Sequence, residues 1–343
     1  MHPIRVGLAG FGRIGRNLFR ILYKNPDVRI SAISDTADHA ALEYLIRFDT
    51  IFGRFPEELS VKEGNLYVHG QQIPMFSGQR PGDVPWGALG IDVVVEATGQ
   101  QRTREELEGH LEAGAKAVIL CAPPKDPPDI TIVMGVNDQN LRLEDRIISN
   151  ASCTAHCAAP VIKILHEAFG IERAFLNTVH AYTNQQRLAD VPAKDPRRGR
   201  AAAENIIPQR TNSAQMIMGL IPELEGRVIG EAMNVPVPNG SCVDLVCWHE
   251  KPVSVTAVNE VIRTAASSSR WVEILHYEDD PIVSTDIIRS PFSSTFDSLA
   301  TMVLKGQVSK TLSWYDNGWG YAHRVVDLIQ CWMGLQQEAK EVA

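Results

Sequence analysis

The 343-residue chain lacks a cysteine framework, an excess of positive charge and any apolar run long enough to span a membrane. Its six cysteines show no regular spacing. We therefore expect reduced thiols in a reducing compartment, the cytoplasm. Acidic residues outnumber basic ones by 41 to 33, for a formal charge of -8. This balance argues against a dedicated nucleic-acid binder, so neither nucleic acid nor a membrane is expected as a partner.

The chain also shows no signal peptide, since no basic region followed by an apolar core precedes the first predicted strand. Cys153, His156 and Cys157 lie close in sequence, but no second cluster accompanies them. No metal site is therefore expected. At this length a single hydrophobic core is improbable on general grounds, and the sequence predicts two domains.

The first half of the chain alternates short apolar strands with amphipathic helices. Strands are predicted at 4–8, 28–34, 92–96, 117–121 and 130–134, and helices at 16–24, 40–48 and 105–113. This rhythm predicts an α/β Rossmann-type domain whose mostly parallel sheet is covered by helices on both faces.

The second half has longer strands in which polar and apolar residues mix. They are predicted at 175–182, 230–237, 242–250 and 310–315. This pattern predicts an α+β domain built on a mixed or antiparallel sheet. We place the first domain at 1–152, completed by a C-terminal helix within 319–343, and the second at 153–318.

A glycine-rich motif follows the first strand and opens the first helix. In Gly10-Phe-Gly12-Arg-Ile-Gly15, the first glycine allows a tight turn, the second close approach of a pyrophosphate, and the third close helix packing. Asp35 ends the second strand, where its carboxylate would bind ribose hydroxyls and repel a 2′-phosphate. The motif therefore indicates NAD rather than NADP. The alternative is an ordinary glycine-rich turn beside a surface aspartate.

Cys153 is the candidate nucleophile. A strand at 146–149 runs into a short polar turn, and a helical pattern follows, which places Cys153 at or near a helix N-terminus. There the unpaired N–H groups and the helix dipole favour a thiolate. His180, on a β-branched strand, is the candidate base. The alternatives are a buried packing cysteine and a core histidine.

Several long motifs occur in order along essentially the whole chain, and with them the chain resembles phosphorylating glyceraldehyde-3-phosphate dehydrogenases. The motifs lie at 10–16, 96–99, 151–154, 178–183, 194–198, 200–208 and 313–317. The resemblance implies that Cys153 attacks an aldehyde and that His180 takes a proton as hydride leaves. It further implies that inorganic phosphate cleaves the resulting thioester to an acyl phosphate.

The resemblance also implies ligands. Those expected to bind NAD are Gly10, Gly12, Arg13, Ile14, Gly15, Asp35, Thr98, Gly99, Cys121, Pro192 and Asn317. Those expected to bind the phosphate groups are Ser152, Thr154, Arg198 and Thr211 for inorganic phosphate, and Thr183 and the Asn234 position for the substrate phosphate. The basic stretch 194–200 would lie near a neighbouring subunit's cofactor, which implies a homotetramer; the alternative for this stretch is a solvated loop.

The chain departs from the family pattern inside the expected substrate pocket. Asn234 stands where the family usually has arginine, and Gln185 where it usually has aspartate. Ala155-His156 replaces Thr-Asn, and Gly318 replaces glutamate. Either a nearby cation, Arg210 or His156, replaces the lost contact, or the aldehyde differs.

Three functions therefore stand open at this stage. The first is oxidation of glyceraldehyde 3-phosphate to 1,3-bisphosphoglycerate. The second is the same chemistry on erythrose 4-phosphate or a non-phosphorylated aldehyde. The third is a non-catalytic binding or regulatory protein that keeps the fold.

Overall fold

A computed structural model describes residues 3–78 and 80–342, with the side chains of 340–342 left undescribed. The chain forms two compact units. The first runs to Ile132 and includes Asn137–Ala151 and the chain from Ala322 onward. The second comprises Val133–Val136 and Ser152–Tyr321.

The first unit is built on a mostly parallel sheet. Its strands and helices are β1 (Ile4–Ala9), α1 (Arg13–Leu22), β2 (Val28–Ser34), α2 (His39–Arg47), β3 (Phe48–Asp49), β4 (Gly53–Arg54), β5 (Leu59–Lys62), β6 (Asn65–Val68), β7 (Gln71–Phe76), β8 (Val93–Glu96), α3 (Arg104–Glu112), β9 (Ala117–Leu120), β10 (Ile130–Thr131) and β11 (Ile147–Ser149). Within the described residues, one sheet has the order β10-β11-β9-β8-β1-β2-β7-β6-β5.

The central strands of this sheet are apolar because helices cover both faces. Val6 and Leu8 of β1 and the side chains of 93–95 and 117–120 are fully buried. β1 pairs in parallel with both β2 and β8, and β8 pairs in parallel with β9. The carboxyl ends of these strands therefore meet at one edge, where dinucleotides bind in such sheets.

The second unit is built on a mixed sheet. Its elements are α4 (Cys153–Phe169), β12 (Ile171–Ala181), β13 (Ile207–Arg210), α5 (Ser213–Leu220), β14 (Val228–Val235), β15 (Ser241–His249), α6 (Val255–Ala266), β16 (Leu275–Glu278), β17 (Ser294–Leu304) and β18 (Val308–Tyr315). The sheet order is β13-β14-β12-β15-β18-β17-β16 within the described chain. The predicted fold class, a Rossmann-type domain followed by an α+β domain, is confirmed.

The short segment Val133–Val136 groups with the second unit, although the sequence suggested that it belonged to the first. The predicted strand at 130–134 is only Ile130–Thr131. Beyond it, the carbonyl oxygens of Gly135 and Val136 accept hydrogen bonds from the Arg270 guanidinium at 2.6 and 3.2 Å. The predicted strand therefore covers, in its last part, a turn whose carbonyl oxygens are bonded to a residue distant in sequence, which periodicity does not reveal.

A long helix, α7 (Trp319–Val342), ends the described chain, and its larger part belongs to the first unit. Trp332 is 1% exposed, and its indole N–H donates to the carbonyl of Asp145 at 2.8 Å. Nowhere in the described part of the chain is a helix both long and apolar enough to cross a bilayer.

Because Trp332 is fully buried, Trp332→Ala should destabilise the first unit by about 3–5 kcal/mol through the cavity it leaves. Trp332→Phe keeps most of the volume and should cost less. Gln337→Ala, an exposed change on the same helix, is the control. Thermal unfolding of the variants checks this, and an unchanged unfolding temperature for Trp332→Ala would mean that α7 is dispensable.

Candidate active site

Cys153 is the first residue of α4, as its sequence context predicts. The chain turns sharply between β11 and this helix, and Ala151 in the turn has a φ of 48°, a left-handed conformation that is uncommon outside glycine. Ser152 is the N-cap, and its hydroxyl accepts from the Ala155 N–H at 3.1 Å. Strand, turn and cap together hold the sulfur over the first turn of the helix.

His180 lies near the end of β12 and faces the sulfur. Its Nε2 is 3.5 Å from Cys153 Sγ. Its Nδ1 is 2.6 Å from the carbonyl oxygen of Ala181. A carbonyl oxygen only accepts, so Nδ1 must carry a proton, and Nε2 of the neutral ring is left as an acceptor toward the thiol. The structure therefore brings the predicted nucleophile and base together with the base in the required tautomer.

Burial opposes ionisation of the thiol. It raises the pKa of Cys153 to about 11, although the N–H and hydroxyl of Thr154 and the N–H of Cys153 itself lower it. The carboxylate of Asp316 adds to the rise. The helix end favours a thiolate and desolvation opposes it. His180 Nε2, 3.5 Å from the sulfur, is placed to accept the thiol proton.

Tyr315 connects the two catalytic elements. Its hydroxyl is 2.9 Å from Thr154 Oγ1 and 2.8 Å from Thr178 Oγ1, so it ties the first turn of α4 to β12. Its ring meets the His180 ring edge-on, with centroids 5.9 Å apart. Burial raises the pKa of Tyr315 well above its usual value, so the group is a neutral hydroxyl that buttresses the pair.

Of the predicted phosphate ligands, Arg198 is the exposed cation. It lies in a 3₁₀ turn, Pro196–Gly199, with its nearest carboxylate, Asp195, 3.8 Å away. Its side chain is half exposed, which suits an anion that enters from solvent. The Ser152 hydroxyl, which accepts from the helix, keeps its own proton for donation to a bound anion.

The remaining hydroxyls predicted to bind phosphate have protein partners. Thr154 Oγ1 is bonded to Tyr315, Thr183 Oγ1 donates to Gln186 Oε1 at 3.0 Å, and Thr211 Oγ1 donates to Ser213 Oγ at 2.9 Å. Gln185, which stands where the family usually has aspartate, is exposed. Its backbone N–H donates a hydrogen bond to Thr183 Oγ1 at 3.3 Å. To donate to an anion, the hydroxyls of Thr183 and Thr211 must leave the side-chain oxygens to which they donate here.

Asn317 sits in a turn organised by Asp316, which is 1% exposed. The Asp316 carboxylate accepts from Asn239 Nδ2 and from the backbone N–H groups of 289, 318 and 319 at 2.8–2.9 Å. Asn317 Oδ1 accepts from the Ser241 hydroxyl at 3.2 Å. The Asn317 amide therefore has a fixed orientation, and its NH₂ group is left to donate.

In the first unit the glycine-rich motif forms the turn between β1 and α1. Gly10 has a φ of 94°, and an added Cβ there would lie 2.6 Å from Thr98 N. A Cβ at Gly15 would lie 2.2 Å from the Gly10 carbonyl oxygen, so this glycine permits close packing of the helix on the turn. At Gly12, the uncapped N-terminus of α1, a Cβ would meet nothing within 4 Å.

Two carboxylates shape the neighbouring turns. Asp35 accepts from the N–H of Phe11 at 2.7 Å and from Ala37 at 2.9 Å, which holds it beside the glycine turn. Glu96, fully buried, accepts from the Thr98 N–H at 2.8 Å and from its hydroxyl. Glu96 thereby fixes the turn that carries Thr98 and Gly99.

Comparison with known proteins assigns the chain to a family. Family models match residues 4–104 as "Glyceraldehyde 3-phosphate dehydrogenase, NAD binding domain" and 152–317 as the C-terminal domain of the same protein. A glyceraldehyde-3-phosphate dehydrogenase of Geobacillus stearothermophilus is 50% identical over 326 residues, which is 95% of this chain and 97% of that protein. Relatives of the same name from Streptomyces coelicolor and Mycobacterium leprae are 49% and 48% identical over 95% of this chain and 97% of their own lengths.

The chain belongs to the glyceraldehyde-3-phosphate dehydrogenase family. It is an NAD-dependent oxidoreductase of the phosphorylating aldehyde dehydrogenase type, so the predicted family, cofactor and enzyme class are confirmed. The non-catalytic alternative is set aside by the same finding.

The residues present fit NAD. The N-terminus of α1 has no side-chain cap and no acidic residue in its first turn, and the space over Gly12 is open. An uncapped helix end with room above it suits a pyrophosphate. The remaining predicted cofactor ligands of the first unit, Arg13, Ile14 and Cys121, lie at the same carboxyl edge of the sheet, whereas Pro192 and Asn317 belong to the second unit.

Sequence reasoning missed the residues that position the site. Tyr315, Asp316 and Ser241 each act through hydrogen bonds to partners far away in the chain. Tyr315 and Asp316 stand beside Asn317 in a motif already singled out, so their position was a usable signal. For Ser241 the sequence offered no such signal. Among residues 3–78 and 80–342, no three His, Cys, Asp or Glu side chains converge into a group that could hold a metal ion.

If His180 Nε2 is the acceptor for the thiol proton, removing it should make Cys153 unreactive at neutral pH. In His180→Asn we expect alkylation by iodoacetamide to slow at least about tenfold at pH 7. The pH midpoint of alkylation should move upward, because desolvation then opposes ionisation with no imidazole to accept the proton.

The measurement is the alkylation rate of Cys153 between pH 6 and pH 10, followed by mass spectrometry of the modified peptide. His276→Asn, a partly exposed histidine of the same unit, is the control and should keep the wild-type profile. Identical profiles for wild type and His180→Asn would show that the imidazole does not hold the proton.

Proposed function

We propose that the protein oxidises glyceraldehyde 3-phosphate to the acyl phosphate 1,3-bisphosphoglycerate, with NAD as oxidant and inorganic phosphate as second substrate. The observation that carries this proposal is the 3.5 Å contact between Cys153 Sγ and an imidazole nitrogen that can only accept. This pair supplies a nucleophile and a base to one carbonyl carbon.

In the first step Cys153 transfers its proton to His180 Nε2, and its sulfur bonds to the aldehyde carbon. The carbonyl oxygen gains the electron pair of the broken π bond and takes the proton from His180 Nε2, which leaves a thiohemiacetal and an imidazole that can accept again. The Cys153 backbone N–H, at the first position of α4, is proposed to donate to this oxygen as it becomes negative. The proton on His180 Nε2 is the second donor.

NAD, when bound, supplies the hydride acceptor for oxidation of the thiohemiacetal carbon. During that step His180 Nε2 takes the hydroxyl proton, so the carbon–oxygen double bond re-forms as a thioester on Cys153. The Asn317 NH₂, oriented by Ser241, is available to hold a carboxamide of the cofactor. A phosphate oxygen then attacks the thioester carbon, and the Cys153 thiolate leaves.

Arg198 and the hydroxyl of Ser152 are proposed to bind the inorganic phosphate. Ser152 adjoins the nucleophile, and Arg198 supplies an exposed guanidinium that pairs with phosphate through two N–H groups. Thr154, Thr183 and Thr211 are proposed to contribute hydroxyls once their protein partners are exchanged for phosphate oxygens.

We also propose a cytoplasmic homotetramer. Ile229, Phe175 and Met302 lie in one row across the second sheet, with Val246 and Lys310 between Phe175 and Met302, and are 53–61% exposed. Exposed apolar side chains in such a row, with one lysine among them, suit burial against another copy of the chain. The free thiols of Cys121, Cys153, Cys157, Cys242, Cys247 and Cys331 suit a reducing compartment.

Cys153→Ser should lower the rate of NADH formation from glyceraldehyde 3-phosphate, NAD and phosphate at least about a thousandfold, because a hydroxyl is a far weaker nucleophile than a thiol at neutral pH. Cys331→Ser, a change in α7, should stay within about twofold of wild type. The absorbance of NADH at 340 nm checks both. Full activity of Cys153→Ser would disprove the thioester route.

A second candidate function is the same chemistry on a different aldehyde. It is favoured by the replacement of arginine by Asn234, whose amide is buried and bonded within the protein. Loss of a guanidinium–phosphate bond costs about 1.5–3 kcal/mol, or about ten- to a hundredfold in affinity.

For this candidate we expect the KM for glyceraldehyde 3-phosphate to exceed that of an arginine-bearing family member by about the same ten- to hundredfold. Erythrose 4-phosphate and unphosphorylated glyceraldehyde, assayed with and without inorganic phosphate, should give equal or higher kcat/KM. A KM equal to that of the arginine-bearing enzyme would remove this candidate.

A further inference from the structure

Asn234 lies in β14, directly beside the catalytic base. The two strands run parallel, and Asn234 is in register with His180 of β12. The side chain is 7% exposed. A buried amide in this place must be paired with protein groups, since an unpaired one costs free energy.

Every polar atom of the Asn234 amide has a protein partner. Its Nδ2 lies 3.3 Å from the Ala181 carbonyl oxygen and 3.4 Å from that of His180. Its Oδ1 accepts from Gln209 Nε2 on the neighbouring strand, β13. Because carbonyl oxygens only accept, the Asn234 atom that faces them must be the NH₂ nitrogen. Asn234 Oδ1 then faces Gln209, so the Gln209 atom that meets it must be the NH₂ nitrogen of that amide.

The Ala181 carbonyl is the acceptor that sets the tautomer of His180. It receives both the Nδ1–H of the ring, at 2.6 Å, and the NH₂ of Asn234. Ala181 is the last residue of β12, and its carbonyl oxygen lies beyond the last pair of β12 with β15, where these two side chains donate to it. Asn234 therefore helps to hold the Ala181 carbonyl, which keeps the ring proton on Nδ1 and leaves Nε2 unprotonated toward Cys153.

We propose that Asn234, held by Gln209, is a positioning residue for His180 and not a ligand of the substrate phosphate. The proposal rests on the proposed role of His180 as the base. The amide that replaces the family's usual arginine thus serves proton transfer, and binding of the distal phosphate falls to other groups.

Asn234→Leu keeps the branched shape of the side chain but removes the NH₂ donor and the Oδ1 acceptor. We expect the pH midpoint of Cys153 alkylation to rise and the rate at pH 7 to fall about tenfold. The reason is that the Ala181 carbonyl, to which the His180 ring donates, loses its hydrogen bond from Asn234. Gln209→Leu, which removes the donor to Asn234 Oδ1 and leaves the Asn234 NH₂ in place, should shift the profile in the same direction by less. It also tests the proposal if Asn234→Leu does not fold.

The matched control is Asn259→Leu, which removes an amide that donates to the Ser298 carbonyl at 3.0 Å in the same unit. It should leave the alkylation profile unchanged. Thermal unfolding of all three variants separates a loss of fold from a loss of positioning.

Steady-state kinetics separate the two roles of Asn234. If Asn234 positions His180, Asn234→Leu should lower kcat about tenfold, while the KM values for aldehyde and phosphate stay within about twofold of wild type. A higher KM with an unchanged alkylation profile would overturn the proposal and make Asn234 a phosphate ligand. The alkylation arm needs no substrate, so it tests the positioning role even if none of the aldehydes is oxidised.

Discussion

The hydrogen bond from His180 Nδ1 to the carbonyl oxygen of Ala181 is the constraint on which the site depends. It fixes where the ring carries its proton and so makes Nε2 an acceptor for the thiol. The backbone that supplies this carbonyl is the end of β12, held by β14 on one side and by the Ser241 hydroxyl, which accepts the Ala181 N–H at 3.0 Å, on the other. The position of β12 in the sheet thus determines which nitrogen of the His180 ring carries the proton.

The parallel half of the fold could be predicted from sequence because its strands are buried apolar runs separated by amphipathic helices. Other elements were missed for physical reasons. β17 is rich in serine and threonine and carries an irregularity in its pairing, so no alternation marks it. The hairpins β5–β6–β7 are short, and their signal lies in the turns Glu63-Gly64 and His69-Gly70, where both residues have positive φ.

Cys153 and His180 could be proposed as nucleophile and base because strand, turn and helix order place Cys153 at a helix end and because the family motifs carry both residues. The ionisation of Cys153 could not be predicted, since it depends on how far the surrounding packing desolvates the sulfur. The partners of Thr154 and Asn234 likewise come from strands distant in sequence. Residue identity indicates which chemistry is available, whereas only packing shows which atoms are already engaged.

The most direct measurement of this constraint is the ¹⁵N NMR spectrum of the histidine-labelled protein, with the His180 ring assigned by comparison with His180→Asn. We expect Nδ1 to carry a proton throughout the titration, and Nε2 to pass from protonated to bare as the imidazolium loses its proton. A resting ring with the proton on Nε2 and a bare Nδ1 would contradict the account, because such a ring cannot accept the proton of Cys153.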